Sequence, residues 1–307
     1  MKSSYFNRIL LLLNKHPRRG KRLIGLSVTA LWELWQRVVE LDRARQKQRA
    51  NKPERKRLVG GGRKKAVDVL CRLLVTLIYL RQHWTMQAIG ECVEVAESTV
   101  FNYIHEMLPY IEAALPASLL EQWQQECPAQ ERLELEQWFN CLPEGFLLVD
   151  AWEQPIHRPL DNDKQKQYYS GKKKQHTRKN QVIVLPKGID IVDVEVGVEG
   201  RLNDSKLLLH TQDQLPPRLP LIGDKAYIGR DNTLTPFKKP RGGQLNQMQE
   251  SFNHWINQQR IYVEHIIRVI KIERIAKETF RMREQMYEQV IRCVCGLVRL
   301  RVQYAYT

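Results

Sequence analysis

Thiol chemistry has almost no foothold in this chain. The six cysteines, Cys71, Cys92, Cys127, Cys141, Cys293 and Cys295, include no Cys-x-x-Cys pair. Cys293 and Cys295 have no second pair to complete a four-ligand site, so neither zinc nor a disulfide framework is expected. Free, reduced thiols are expected instead. Long apolar runs are also missing. The run Ile9–Leu13 is five residues long, too short for a signal-peptide core or a membrane span. A soluble, cytoplasmic protein with no membrane partner is expected. Acid is scarce at one end only. Residues 1–65 hold 19 Lys/Arg and 4 Asp/Glu, which leaves 30 of each sign over the remaining 242 residues. The net charge of +15 therefore sits on the N-terminal segment. A basic segment on a neutral body suggests a polyanionic partner, most often nucleic acid; an idle solvated tail is the alternative.

What is present supports a packed protein: 307 residues with 43% hydrophobic content can bury a substantial core. Residues 5–45 have helical spacing, with an apolar stripe through Leu23, Leu26, Leu31, Leu34, Trp35, Val38 and Leu41. From Arg43 to Lys65 charge dominates and Pro53 and Gly60–Gly62 interrupt it, as in a linker or an arm that orders on DNA. Residues 66–109 predict three helices: Val67–Leu80, a second capped by Thr85 and ending near Val93, and a third over Glu97–Leu108. The spacing fits a helix-turn-helix whose last helix enters the major groove. Ser98, Thr99, Asn102 and His105 are its candidate DNA contacts. An ordinary three-helix unit is the alternative, favoured by Glu91, Glu94, Glu97 and by Ala96 at a capping position.

Residues 112–144 turn acidic and read as helical pieces without chemistry. From Glu144 the texture is strand-like: Phe146–Val149, Gln181–Leu185, Ile189–Val196 and Leu219–Gly223, with a turn at Pro186-Lys187-Gly188. Helices are expected over Asp204–Gln214, Gln247–Thr279 and Arg283–Tyr304. The alternation predicts an α/β fold with a mixed sheet. Four segments follow: a basic helical arm and linker (1–65), a helix-turn-helix-like module (66–115), an acidic helical connector (116–143) and an α/β domain (144–307).

Three acids stand out. Asp150 and Asp224 each end an apolar run, and Glu264 lies in a helical stretch. Converging carboxylates repel one another and make poor core. They suit one or two divalent cations, with Mg²⁺ the obvious candidate. Arg260 at i−4 and Lys271 at i+7 share the face of Glu264 and can hold phosphates, although the Arg260–Glu264 spacing equally fits a surface ion pair. Lys172, Lys173 and Lys174, with His176, Arg178 and Lys179, follow Tyr168-Tyr169. Cations beside aromatic faces suit phosphate contact and base stacking; a lysine-protected strand edge is the alternative.

The motifs DAWEQPIHRP (150–159), YYSGKKKQHTRKNQVIV (168–184), RLNDSKLL (201–208) and GDKAYIG (223–229), with the Arg260–Glu264–Lys271 spacing, resemble the DDE-superfamily transposases of bacterial insertion sequences, of the insertion-sequence-five kind. The resemblance runs from about residue 66 to the end. Asn203 stands where His is usual, Ala226 where Gly is commoner, and Asn257 where Tyr often precedes the Arg. The resemblance implies a ribonuclease-H-like catalytic domain with Asp150, Asp224 and Glu264 as catalytic metal ligands for two Mg²⁺ (or Mn²⁺) ions. It also implies cleavage at terminal inverted repeats, transfer of the 3′-hydroxyl to target double-stranded DNA, and a homo-oligomer on DNA. An inactive DNA-binding derivative and a nuclease without strand transfer are the other readings. Asp204 reads as the cap of its helix and stays outside the triad.

Overall fold

The computed structural model describes residues 4–51, 67–116, 118–121, 145–212, 214–215 and 219–303. Most of the predicted linker and nearly all of the acidic connector lie outside the described residues. Two compact units result. The first is formed mainly by residues 1–116, and the second by 117–272 and 276–303.

The first unit is helical: α1 Ser4–Lys15, α2 Pro17–Ile24, α3 Val28–Ala50, α4 Val69–Gln82, α5 Met86–Val93 and α6 Glu97–Ala114. Side-chain caps start three of them. Ser27, Asp68 and Thr85 accept the N–H groups of Ala30, Cys71 and Ala88 at 3.2, 2.8 and 3.1 Å. Helix α4 is buried from Leu70 to Leu80, which fits its largely apolar sequence; within that span Arg72 pairs with Glu106 at 2.7 Å and the Thr76 hydroxyl donates to the Arg72 carbonyl at 3.0 Å. The predicted stripe through Leu26, Leu31, Leu34 and Val38 is buried, but Leu26 lies in the bend between α2 and α3 and only the other three share helix α3. Helix α3 also continues seven residues past Arg43, so the expected linker begins later. Its Arg, Lys and Gln residues are good helix formers, and Gln46 bonds Asp42 one turn back at 2.7 Å. Between α5 and α6, Glu94 adopts φ 59° and Gly90 passes under the turn. A Cβ on Gly90 would stand 2.6 Å from the Val95 carbonyl oxygen, so the turn requires glycine.

The second unit is a mixed sheet: β1 Leu147–Pro155, β2 Tyr169–Ser170, β3 Gln175–Val184, β4 Ile191–Glu199, β5 Leu221–Ile222 and β6 Thr233–Leu234. The order is β2-β3-β1-β5-β6, with β4 also on β3. Strand β3 is antiparallel to β1 and β4, whereas β5 is parallel to β1 and β6. Its helices are α7 Asn162–Tyr168, α8 Asp204–Gln212, α9 Gln247–Ile272 and α10 Tyr287–Gln303. Leu147, Val149, Ile183 and Leu185 pack with Leu208 of α8 and with Tyr227 on one face. On the other face, the Tyr287 hydroxyl of α10 donates to Gln154 Oε1 at 3.0 Å and accepts from Asn180 Nδ2 at 2.9 Å.

Several boundaries depart from the sequence expectation. Strand β1 runs to Pro155, because β3 pairs with it residue by residue as far as Pro155–Thr177. Asp150 is therefore mid-strand, not at a strand end. Strand β3 starts at Gln175, inside the basic segment, for the same reason. Helix α9 stops at Ile272 and a 3-10 turn follows at Arg274–Ala276. Helix α7 and strand β6 had no clear signal. Among the described residues no helix is long and apolar enough to cross a membrane.

Candidate active site

Each acid is delivered by a different element. Asp150 lies opposite Val182 in the β1–β3 register, and its Oδ1 accepts the Ala151 N–H at 2.8 Å. Asp224 follows β5, the parallel neighbour of β1. It accepts the Ala226 N–H at 2.8 Å and opens the 3-10 turn Lys225–Tyr227. A Cβ on Gly223 would meet the Tyr227 ring at 2.7 Å, so this glycine lets the chain turn tightly before the second acid. Glu264 rides on α9, whose buried edge is Ile256, Val263, Ile266, Ile267, Val269 and Ile270. Asn246 and Gln249 start that helix by reciprocal bonds of 2.8 and 3.1 Å, a capping box.

One guanidinium links the first and third acids. Arg260 Nη2 is 3.5 Å from Asp150 Oδ2 and 3.3 Å from Glu264 Oε1. The Asp150 side chain is 19% exposed and that of Glu264 55%, so the pair to Asp150 is the less screened. Burial pushes the Asp150 carboxyl up to about 6. The Ala151 N–H and Arg260 oppose this, while Asp224 and Glu264 add to it. Asp150 therefore lies within electrostatic range of both other acids. Asp224, Lys225, Asn253, Asn257 and Arg260 line an open concavity of about 260 Å³. Asn257, the residue where the resemblance expects Tyr, thus belongs to this wall.

Among the lysines, Lys173 lies within electrostatic range of Lys271. Burial lowers the pKa of Lys271, as do Lys173 and Lys277, while Asp150 raises it. Lys172, Lys173 and Lys174 are exposed in the turn between β2 and β3, where the Lys173 N–H donates to Ser170 Oγ at 3.2 Å. His176 stacks edge-on against Tyr169 at 5.6 Å. Arg178 and Lys179 point elsewhere. The Arg178 guanidinium lies 4.9 Å from the Tyr168 ring and 5.0 Å from that of Tyr287, and Lys179 is buried 2.7 Å from Asp204 Oδ1.

Three carboxylates with no thiolate or imidazole form a hard oxygen donor set, which fits Mg²⁺ or Mn²⁺ in kind. Their excess negative charge and the desolvated Asp150 carboxyl point the same way. The carboxylates are not drawn to coordination spacing: among the described residues no three His, Cys, Asp or Glu side chains are close enough to hold a metal ion. Arg260 bridges two of them instead.

With this geometry in view, comparison with known proteins is decisive. Residues 149–299 match the family described as DDE superfamily endonuclease, and residues 68–117 match the helix-turn-helix of DDE superfamily endonuclease. The chain belongs to the DDE endonuclease superfamily. It is 27% identical over 285 residues to a probable transposase for insertion sequence element IS702 of Microchaete diplosiphon, covering 91% of this chain and 93% of that protein. Two solved structures, a Mos1 transposase paired-end complex with left transposon end and a mariner Mos1 paired end complex with Mg, are each 12% identical. They cover 79% and 91% of this chain, and 88% and 99% of their own. Both have a TM-score of 0.18.

In this DDE-superfamily chain the matched helix-turn-helix is α4–α6. Ser98 and Asn102 are exposed and Thr99 is half-exposed on the first turns of α6. Ala96 stands at the cap with no side-chain bond, as its sequence implied. Asp204 does not cap α8. Asn203 Oδ1 accepts the Ser205 N–H at 3.2 Å, and Asp204 faces Lys179. Asn203 therefore does the capping, and an amide serves that role well. Sequence reasoning missed Tyr227, wholly buried three residues after Asp224, whose hydroxyl accepts from Gln181 Nε2 at 3.0 Å. Its signal was its place in GDKAY, which was read only for the acid.

Proposed function

We propose that this chain is a transposase that cleaves DNA at the inverted-repeat ends of an insertion sequence and transfers the freed 3′-hydroxyl to target DNA. The observation that carries the reading is the joining of Asp150 and Glu264 through Arg260, with Asp224 and Lys271 within electrostatic range, in a chain of the DDE superfamily. The mixed sheet, helical on both faces with the first acid on an interior strand, supports a ribonuclease-H-like reading of the second unit.

Asp150, Asp224 and Glu264 would hold Mg²⁺ or Mn²⁺. Bound there, the cations would activate the attacking oxygen and neutralise charge on the phosphate and on the leaving oxygen. The chain's own residues do the rest. Arg260 and Lys271 supply positive charge along one helix for the scissile phosphate and its neighbour. Lys172–Lys174 and His176 extend that charge along the duplex. Ser98, Thr99 and Asn102 on α6 would read or grip the terminal repeat, aided by the basic segment 1–65. Two ends must meet for joining, so the working form is a homo-oligomer on DNA.

A second reading has one observation in its favour. Arg260 already neutralises two of the acids, as it would in a DNA-binding protein that no longer cuts. The deciding test is Mg²⁺-dependent cleavage of a labelled duplex carrying the flanking inverted repeat, comparing wild type with Asp150→Asn and Glu264→Gln. Nicking at the repeat end that both variants lose supports the enzyme. Binding without nicking in all three proteins sinks it. Branched products with added target DNA separate strand transfer from plain nuclease action.

A further inference from the structure

Away from the three acids, the far end of β1 carries a second construction. Beyond Pro155 the chain forms a loop and then α7, and beside them lies a cavity of about 150 Å³. Ile156, Tyr168, Phe280, Met282 and Tyr287 wall it. Phe280 and Tyr287 stack edge-on at 4.9 Å and are nearly fully buried, so this wall is rigid. The Tyr287 hydroxyl is tied to Gln154 and Asn180, which fixes its ring further.

Both cations at this cavity already face one carboxylate, Glu284. Arg178 lies over the Tyr168 and Tyr287 rings, pairs with Glu284 and donates to the Gly197 carbonyl at 3.1 Å. Lys164 is 3.4 Å from the same Glu284. A free anion would find no unpaired cation among these groups. The volume is also well below the roughly 300 Å³ at which small-molecule sites begin. A space of this size between aromatic walls has room for a single ring system and no more.

Two neighbours say where such a ring comes from. Pro159 lines the cavity, and the next residue, Leu160, is 101% exposed, a bare apolar side chain on a loop tip. On the other side of α7, Arg158, Lys166, Tyr169 and His176 line a broad open groove. Groove cations with an aromatic platform suit a nucleic-acid backbone. An exposed aliphatic residue beside such a groove has the form of a wedge that unstacks a base step.

We infer that the loop 157–161 and α7 form a base-extrusion element: Leu160 enters the stack and the cavity takes one displaced nucleobase. This rests on the DNA reading above and adds a site separate from the acids. Contact with the apolar walls of the cavity offsets part of the cost of unpairing that base.

The test uses the full-length protein and a duplex carrying the flanking inverted repeat, with an abasic nucleotide placed at each position in turn. Affinity is read by gel shift. Leu160→Ala, which touches nothing in the fold, is expected to weaken binding to intact DNA about tenfold. One abasic position is expected to restore that loss. Met282→Trp, which fills the cavity, should behave alike, and 2-aminopurine at the same position should change fluorescence on binding to wild type only. Equal loss on intact and every abasic DNA, or wild-type affinity in Leu160→Ala, overturns the extrusion element while the DNA reading stands. No binding by wild type to any duplex overturns both.

Discussion

Arg260 Nη2 stands 3.5 Å from Asp150 Oδ2 and so joins two residues 110 positions apart. The contact works against the burial that raises the Asp150 carboxyl. Asp150 is buried among other acids, and Arg260 is the cationic side chain that holds its pKa down from that level.

Replacing that cation gives the first prediction. Arg260→Gln removes the opposing charge, so Asp150 should keep its proton to higher pH. The rising limb of Mg²⁺-dependent cleavage should move to higher pH, and binding to repeat DNA should weaken by about 1–2 kcal/mol. A cleavage profile measured from pH 5 to 9 checks it. An unmoved limb would show that Arg260 does not act on Asp150.

In the wild type, a carboxyl pushed up to about 6 must lose its proton before it can bind a cation. Cleavage should therefore fall about tenfold per pH unit below about 6, while gel-shift binding stays level or strengthens. Asp150→Asn should abolish cleavage across the whole range with binding retained.

Asp193 supplies a pH test unconnected with cations. Burial pushes it up to about 6; the Val194 N–H and Arg292 oppose this, and Glu195 and Glu121 add to it. The folded state then binds more protons than the unfolded state between about pH 4 and 6, so wild-type stability falls as pH rises through that window. Asp193→Asn removes this penalty. The variant should match wild type below about pH 4 and exceed it by about 1–3 kcal/mol above pH 6, measured by urea unfolding. Equal stability at pH 7 would contradict the shift.

Tyr287→Phe deletes a hydroxyl that bonds both Gln154 and Asn180 in the buried face of the sheet. Loss of a partner there should cost about 1–3 kcal/mol, visible as a lowered Tm. Asn180→Ala should cost a similar amount, and the double variant should cost less than the sum.

On the helix-turn-helix, Asn102→Ala should weaken binding to the terminal repeat by about 1–3 kcal/mol and relax its sequence preference if the amide reads a base. A phosphate contact would instead lower all affinities alike and leave the salt dependence unchanged, because the amide is neutral. Competition gel shifts separate these outcomes.

Much of this is legible in the sequence. Thr85 before Met86, the strongly apolar run up to Leu80 and the break between Val93 and Glu97 mark α4–α6, because capping and burial patterns are local. The three acids were legible through the motifs around them. Asp150 was misplaced at a strand end because its β-pairing partner lies some thirty residues on, and the apolar run stops at Val149. Asp204 was misread as a cap because the competing acceptor, Asn203, is one residue away. Its partner Lys179 is brought near only by the sheet.

The sequence by itself determined which residues can carry chemistry: hard carboxylate donors at 150, 224 and 264, cations on the same helix face at 260 and 271, and a net positive N-terminal segment. Residue type and helical period are local properties and need no fold. The tertiary structure alone decided that Arg260 reaches Asp150 as well as Glu264, that burial raises the Asp150 carboxyl, and that Leu160 stands bare beside an aromatic cavity. Those depend on strand register and on solvent exclusion, which arise only when distant segments pack.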